Sequence, residues 1–262
     1  MLQISNERFT AFDLKKPIQI DRRFDLVVSL EVAEHLPKDC AKTFVHSLTK
    51  LGPVILFSAP IPFQGGTAHL NEQWPDYWAN YFKNNGYEAI DCVRKKVWQD
   101  DQVEWWYAQN MLIFAREDYL TRDPSLKKES ANSFPSTLSM VHPKKYLEIV
   151  SIQHATRDLA ALISPGESFI LVDQDLLREH LALGRHAIPF LERDGQYWGP
   201  PEDDSTATQE LERLRRTGAK FIVFAWPAFW WLDFYSDFEQ YLQSRFSCVL
   251  KNDRVVVFDL RA

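Results

Sequence analysis

Two short apolar runs, FDLVVSL at 24–30 and PVILFSA at 53–59, bracket a segment whose apolar residues recur at helical spacing: Ala41, Phe44, Val45 and Leu48. Continuous runs with β-branched residues are what strands buried on both faces show; strict alternation would mark a half-exposed strand. Gly52 and Pro53 stop the helix immediately before the second run. The three segments therefore predict a β-α-β unit and a parallel sheet, because strands joined through a crossover helix run in the same direction. RFTAFDL at 8–14 reads as a further short strand. In such a sheet ligands lie beyond the carboxyl ends of the strands. Those ends are Asp13 with Leu14, residues 29–35 and residues 58–71, and all three are polar where the strands are not.

The rest of the chain continues as α/β. A helix is expected over 76–84, closed by Asn85 and Gly86. YEAIDCVRKKVW and YAQNMLIFA are expected to be strands that pair antiparallel at the sheet edge. Polarity then rises, and the Pro and Ser of TRDPSLKKESANSFPS predict a linker over 117–142 between a first domain, 1–116, and a second, 143–262. In the second domain a helix over 143–163 precedes the strand SFILVDQD and a turn-rich loop. Thr206 and Gln209 have capping-box spacing for a helix closed by Gly218. FIVFAW is a strand, 237–244 a short helix, and FSCVLKNDRVVVFDL a hairpin turning at Asn252 and Asp253.

Composition excludes several function classes. With 262 residues, 45% apolar and 25% charged, the chain is neither disordered nor fibrous. Thirty Lys and Arg against 36 Asp and Glu give a net charge of −6, and no basic run offers a footprint for phosphate backbones, so no nucleic-acid partner is expected. No run reaches the roughly 18 apolar residues of a membrane span, and the N-terminus lacks signal-peptide order, so a cytoplasmic location is expected. Cys40, Cys92 and Cys248 are odd in number and dispersed, which makes neither a disulfide framework nor a zinc knuckle.

FDLVVSLEVAEHLP, GPVILFSAP and QGGTAHLNEQWPDYWANYFKNNGYE resemble class I S-adenosylmethionine-dependent methyltransferases over about residues 8–115. The resemblance implies an incomplete Rossmann-like sheet, with Asp13 and Leu14 at the adenine of S-adenosyl-L-methionine and Ser29, Leu30 and Glu31 at its methionine end. Asp13 read locally is equally a strand-end turn residue. The sequence departs from the family: its first glycine is Gly52, so the early glycine-rich loop and its flanking strands, on the order of 50 residues by the size of a β-α-β unit, have no counterpart in this chain. Cofactor binding by residues 1–262 alone is therefore expected to be weak.

Glu31, Glu34 and His35, with the distant His69, put two carboxylates and two imidazoles at one sheet edge. The spacing resembles the metal arrangement of small-RNA 2′-O-methyltransferases and ubiquinone-biosynthesis O-methyltransferases, which implies a divalent metal that orients acceptor hydroxyls. Two other readings stand beside it. Glu34 and His35 orient the next helix while His69 packs in its loop; or His35 or His69 acts as general base, since imidazole titrates near neutrality. Trp74, Tyr77 and Trp78 read as helix packing rather than a substrate platform.

In the second half, LVDQD, GQYWGPPEDD and AWPAFWWLDFY resemble a domain of unassigned activity attached to bacterial glycosyltransferases, over about 144–260. Asp173 and Asp175 end one strand and Trp226–Trp231 end the next, which offers Asp173, Tyr197, Trp198, Trp226 and Trp230 as ligand-binding candidates or, alternatively, as packing. Asp203 and Asp204 read as a helix cap rather than a metal pair. Together the resemblances imply a methyltransferase-type protein of bacterial surface-glycan metabolism, acting on a sugar or small-molecule hydroxyl alongside glycan-assembly enzymes. The alternative is a non-catalytic accessory or glycan-binding protein.

Overall fold

A computed structural model describes residues 5–261. The chain is α/β and divides into two units, 1–146 and 147–262.

In the first unit, strand β1 (Val27–Leu30) leads through α1 (Ala41–Leu51) to β2 (Val54–Ser58), and the two strands pair in parallel with Leu30 opposite Ser58. Helix α2 (Pro75–Lys83) precedes β3 (Tyr87–Ile90), α3 (Arg94–Val97), α4 (Trp105–Asn110) and β4 (Leu112–Arg116). Strand β4 inserts antiparallel between β2 and β3, giving the order β1-β2-β4-β3. Phe44, Val45 and Leu48 of α1 and Trp78 and Phe82 of α2 bury against Ile55, Phe57 and Phe114 of the sheet.

Several expectations are corrected. β1 is an edge strand among the described residues, and it alternates in burial, with Val28 55% exposed, because one of its faces stays open. Residues 8–14 form no strand: 8–13 are exposed, and Leu14 is half-buried against the core of the unit. The expected strand over 87–98 ends at Ile90 because Arg94 turns inward into a helix, and the strand expected over 107–115 begins at Leu112 because Gln109 and Asn110 finish α4. Most of 117–142 is not a linker but folded chain of the first unit: α5 (Glu117–Leu120) and α6 (Pro124–Ala131), then a buried Leu138. Ser130 Oγ donates to Glu88, and Asp91 N donates to Ser133 Oγ at 2.9 Å.

Arg94 is the main tie. Fully buried, it pairs with Asp91 at 2.6 and 2.9 Å and donates to the carbonyls of Gln109, Thr137 and Leu138. Removing one partner of a buried pair leaves the other charge uncompensated, so Arg94→Ala is expected to lower stability by about 3–5 kcal/mol. Urea denaturation checks the value, and proteolysis of the variant should open first within 132–142.

In the second unit, α7 (Pro143–Leu162), inside which the division falls, sends Ala155 and Leu159 into the core beneath β5 (Ser168–Val172). Then follow α8 (Arg178–Ala182), β6 (His186–Pro189), the small hairpin β7 (Glu192–Arg193) and β8 (Gln196–Tyr197), and α9 (Asp204–Arg216). Strand β9 (Phe221–Ala225), α10 (Trp230–Phe234), α11 (Ser236–Arg245), β10 (Ser247–Lys251) and β11 (Val255–Asp259) complete it. The sheet order is β10-β11-β9-β5-β6, parallel over β9-β5-β6 and antiparallel beyond. Apolar side chains fill both of its faces, which is why β5 and β9 read as continuous runs. Asp203 caps α9 by accepting from Thr206 N at 2.7 Å, and Asp204 accepts from Phe238 N at 2.9 Å, so the acidic pair holds two helix starts. No helix among the described residues is long and apolar enough to cross a membrane.

Candidate metal centre

The parallel pair β1 and β2 delivers two loops to the same sheet edge. After β1 the chain makes a short 3-10 turn, Ala33–His35, and after β2 a long loop carries His69. Leu70 N and Asn71 N both donate to the Glu34 carbonyl, at 2.7 and 3.0 Å, and this stitches the second loop to the turn. Glu34, His35 and His69 converge as a result: one ligand atom from each lies within 4.8 Å of the others. The imidazole rings stand edge to face with centroids 5.1 Å apart. A cation bonded at about 2.1 Å keeps its donors at most about 4.2 Å apart, so a side-chain shift of under about 1 Å closes the set.

Both imidazoles are oriented through Nδ1. His69 Nδ1 lies 2.9 Å from Glu72 Oε1, and His35 Nδ1 lies 3.3 Å from the Ala68 carbonyl. Facing acceptors, each Nδ1 carries the proton and each Nε2 keeps its lone pair, which is the tautomer that a histidine ligand adopts when an outer acceptor fixes it. Glu72 is itself held by Phe63 N at 2.7 Å and Gly65 N at 2.9 Å.

Glu34 is the anomaly of the site. It is 0% exposed, and neither carboxylate oxygen has a hydrogen-bond partner; His35 Nε2 stands 3.6 Å from Oε1. Burial pushes its carboxyl up to about 7 against its own backbone N–H, which lowers it; the neighbouring Glu31 and Glu72 add to the rise while His69 opposes it. A buried, unpaired carboxylate is strongly disfavoured unless a cation or proton satisfies it. The donor set, the fixed tautomers and the orphaned oxygens fit a divalent metal.

Glu31 stays outside the three-residue group. Its backbone sits in the left-handed region, φ 52°, held where Glu31 N donates to the Ser58 carbonyl and Oγ, both at 3.1 Å. Its side chain accepts from Asn110 Nδ2 at 3.4 Å, and burial raises its pKa against the hydrogen bonds from Ser58 and Asn110. Ser29 is buried with its Oγ unpartnered, and Leu30 is half-buried beside it. Asp13 and Leu14 are not at a strand end: Asp13 folds an exposed local turn, accepting from Lys15 N at 3.1 Å. Trp78 is buried against Phe57 and meets Tyr77 edge on, whereas Trp74 stays partly exposed.

The sequence reading missed Glu72, Gln64 and Asn110. The spacing His69-x-x-Glu72 was the available signal for the first. Gly66 was a second: a Cβ there would overlap the Cε1 and Nε2 atoms of His69. Gly66→Ala is expected to displace the ring and lower divalent-ion affinity by about tenfold or more while the far-ultraviolet circular dichroism stays native. Unchanged affinity would mean that His69 does not face the ion.

The second unit's candidates do not form one site. Asp173 is buried, and both its oxygens are used to accept from Asp175 N at 2.9 Å and Leu177 N at 2.7 Å, although burial raises its pKa. Tyr197 lies near it, and Trp198 is 70% exposed. Trp226 packs on one face of the sheet, while Trp230 meets Trp231 and Tyr235, which bury in the core of the other. Comparison with protein families, curated proteins and solved structures yields no match for the chain.

Proposed function

We propose that the first unit holds one divalent cation through Glu34, His35 and His69, and that the chain is a class I methyltransferase-type protein of bacterial surface-glycan metabolism acting on a sugar or small-molecule hydroxyl. The observation that carries the reading is the buried, unpartnered Glu34 carboxylate facing two imidazoles whose Nδ1 atoms are already engaged. When bound, a divalent cation orients an acceptor hydroxyl and eases its deprotonation. Glu72 and the Ala68 carbonyl fix the ring planes, and the turn at Glu31 keeps a second carboxylate close by. The family resemblance assigns Ser29, Leu30 and Glu31 to the methionine end of S-adenosylmethionine. Asp13 in its exposed turn and Leu14 packed against the core do not fit the adenine end.

Isothermal titration of the whole chain with Mn²⁺ tests the metal reading: one ion per chain is expected, with paramagnetic broadening of the His35 and His69 ring signals. Saturation absent at millimolar Mn²⁺, or broadening elsewhere, would remove it. S-adenosylmethionine is expected to bind more weakly than about −8 kcal/mol, the value for a micromolar dissociation constant. A second reading, a non-catalytic glycan-binding accessory protein, is supported by the exposed Trp198 and Phe234 of the second unit. Methyl transfer to any hydroxyl acceptor by the whole chain separates the two.

A further inference from the structure

We infer that the cavity between Trp98 and Trp105 in the first unit is a binding subsite for a neutral pyranose ring, placed to hold an acceptor sugar beside the metal centre. The placement rests on the reading of Glu34, His35 and His69 given above; the pyranose chemistry does not. The cavity encloses about 290 Å³, at the lower bound of small-ligand pockets, which suits a single ring rather than a cofactor.

Its walls have the two-sided character that a sugar requires. A pyranose presents apolar C–H faces and a rim of hydroxyls, so it needs flat apolar surfaces with donors and acceptors at their edges. Trp98 and Trp105 are half-buried and supply the indole surfaces. The buried His142 ring also lines the cavity, 4.7 Å from Trp98 and 6.5 Å from Trp105 by centroids. His142 is committed to the fold: Nε2 bonds the Trp98 carbonyl at 3.0 Å and Nδ1 accepts from Lys144 N at 3.2 Å. The rim is polar, with Gln99, Asp100 and Asp101. Asp100 accepts from Gln102 N through Oδ1 at 2.9 Å, which leaves Oδ2 to accept from a hydroxyl.

Charge decides the ligand class. Two indoles beside two carboxylates also describe a cage for a quaternary ammonium. Here, however, Lys144 already pairs with Asp101 at 2.8 Å, and the Lys145 ammonium already lies 5.9 Å over the Trp105 ring. The cationic place is filled by the protein itself, and a neutral polyhydroxylated ring is what the remaining surfaces fit.

A hydrogen-bonded path joins the cavity to the centre. Helix α4 carries Trp105 at its start and Gln109 and Asn110 at its end, a rise of about 8 Å. Gln109 Oε1 accepts from His142 N at 2.8 Å, and Gln109 Nε2 donates to Gln64 Oε1 at 2.9 Å. Asn110 Nδ2 donates to the same Gln64 oxygen at 3.0 Å and reaches Glu31 at 3.4 Å. Gln64 lies in the loop that carries His69, so a ring seated at the indoles sits one short helix from that loop and from Glu31.

Saturation-transfer NMR on the whole chain tests the subsite, with the methyl glycosides of glucose, galactose, mannose and N-acetylglucosamine as probes and choline as the cationic control. At least one glycoside is expected to bind, with Trp98→Ala lowering its affinity by about tenfold or more. Asp100→Asn, at an exposed position that tolerates change, is expected to lower it several-fold with the circular dichroism unaltered. Binding of choline in preference to every glycoside, no glycoside binding to natively folded protein, or equal binding by both variants overturns the inference. Repeating the experiment with Mn²⁺ separates the two proposals. Ion binding without glycoside binding removes only the subsite, and glycoside binding without ion binding removes only the metal reading. With both bound, the glycoside signals should broaden; sharp signals would detach the cavity from the centre.

Discussion

Glu34→Gln is expected to lower the Mn²⁺ affinity of the whole chain by about 100-fold or more, the largest effect of any single substitution proposed for this protein. The amide keeps the shape of the side chain and removes the one negative charge of the three-donor group, so the loss reports charge rather than packing. Ligands must be deprotonated to bind a metal, which ties affinity to pH. Burial holds the Glu34 carboxyl at about 7, against 4.5 unperturbed. The fraction ionised is then about 0.9 at pH 8 and about 0.1 at pH 6, so this group alone weakens binding by about tenfold over that interval. Calorimetric titrations at the two pH values should show this loss in the native chain and a smaller one in Glu34→Gln. Equal pH dependence in the two proteins would mean that Glu34 does not ligate the ion.

How far this site was legible follows from topology. Once β1 and β2 are parallel neighbours, whatever follows each strand meets at one edge, and the one-dimensional spacing of Glu34, His35 and His69 becomes a cluster. Spacing alone could not separate Glu31 from that cluster, because its exclusion depends on a left-handed turn set by Ser58. Nor could it find the Gln64, Gln109 and Asn110 amides, whose meeting depends on the path of an irregular loop. The error over 117–142 has a different cause. Helix α6 buries none of its own residues and α5 only Leu120, so the segment has a linker's composition. What fixes 137–138 is Arg94, more than 40 residues earlier, and a long-range hydrogen bond leaves no periodic trace. The same holds for β1, where an apolar run read as a doubly buried strand but one face stays open.

The substitution that removes metal binding is also expected to stabilise the metal-free protein, and the direction depends on pH. The folded state raises the Glu34 pKa from 4.5 to about 7. Between those values the folded chain holds a proton that the unfolded chain has released. Stability must therefore fall as pH rises through this window, and the full penalty is present above about 7. At 1.36 kcal/mol per unit the shift corresponds to about 3 kcal/mol, reduced to about 1–3 kcal/mol because the polar, partly exposed imidazoles of His35 and His69 screen the site. In chelator at pH 8, Glu34→Gln should then resist urea better than the native chain by this amount, and at pH 4.5, where the native carboxyl is already protonated, the two should coincide. Saturating Mn²⁺ should reverse the order at pH 8, because an ion that binds only the folded state stabilises the native chain with the logarithm of its excess over the dissociation constant. A glutamine that is less stable than glutamate at pH 8 in chelator would show that the carboxylate is satisfied by the protein itself, and that its burial serves the fold rather than a cation.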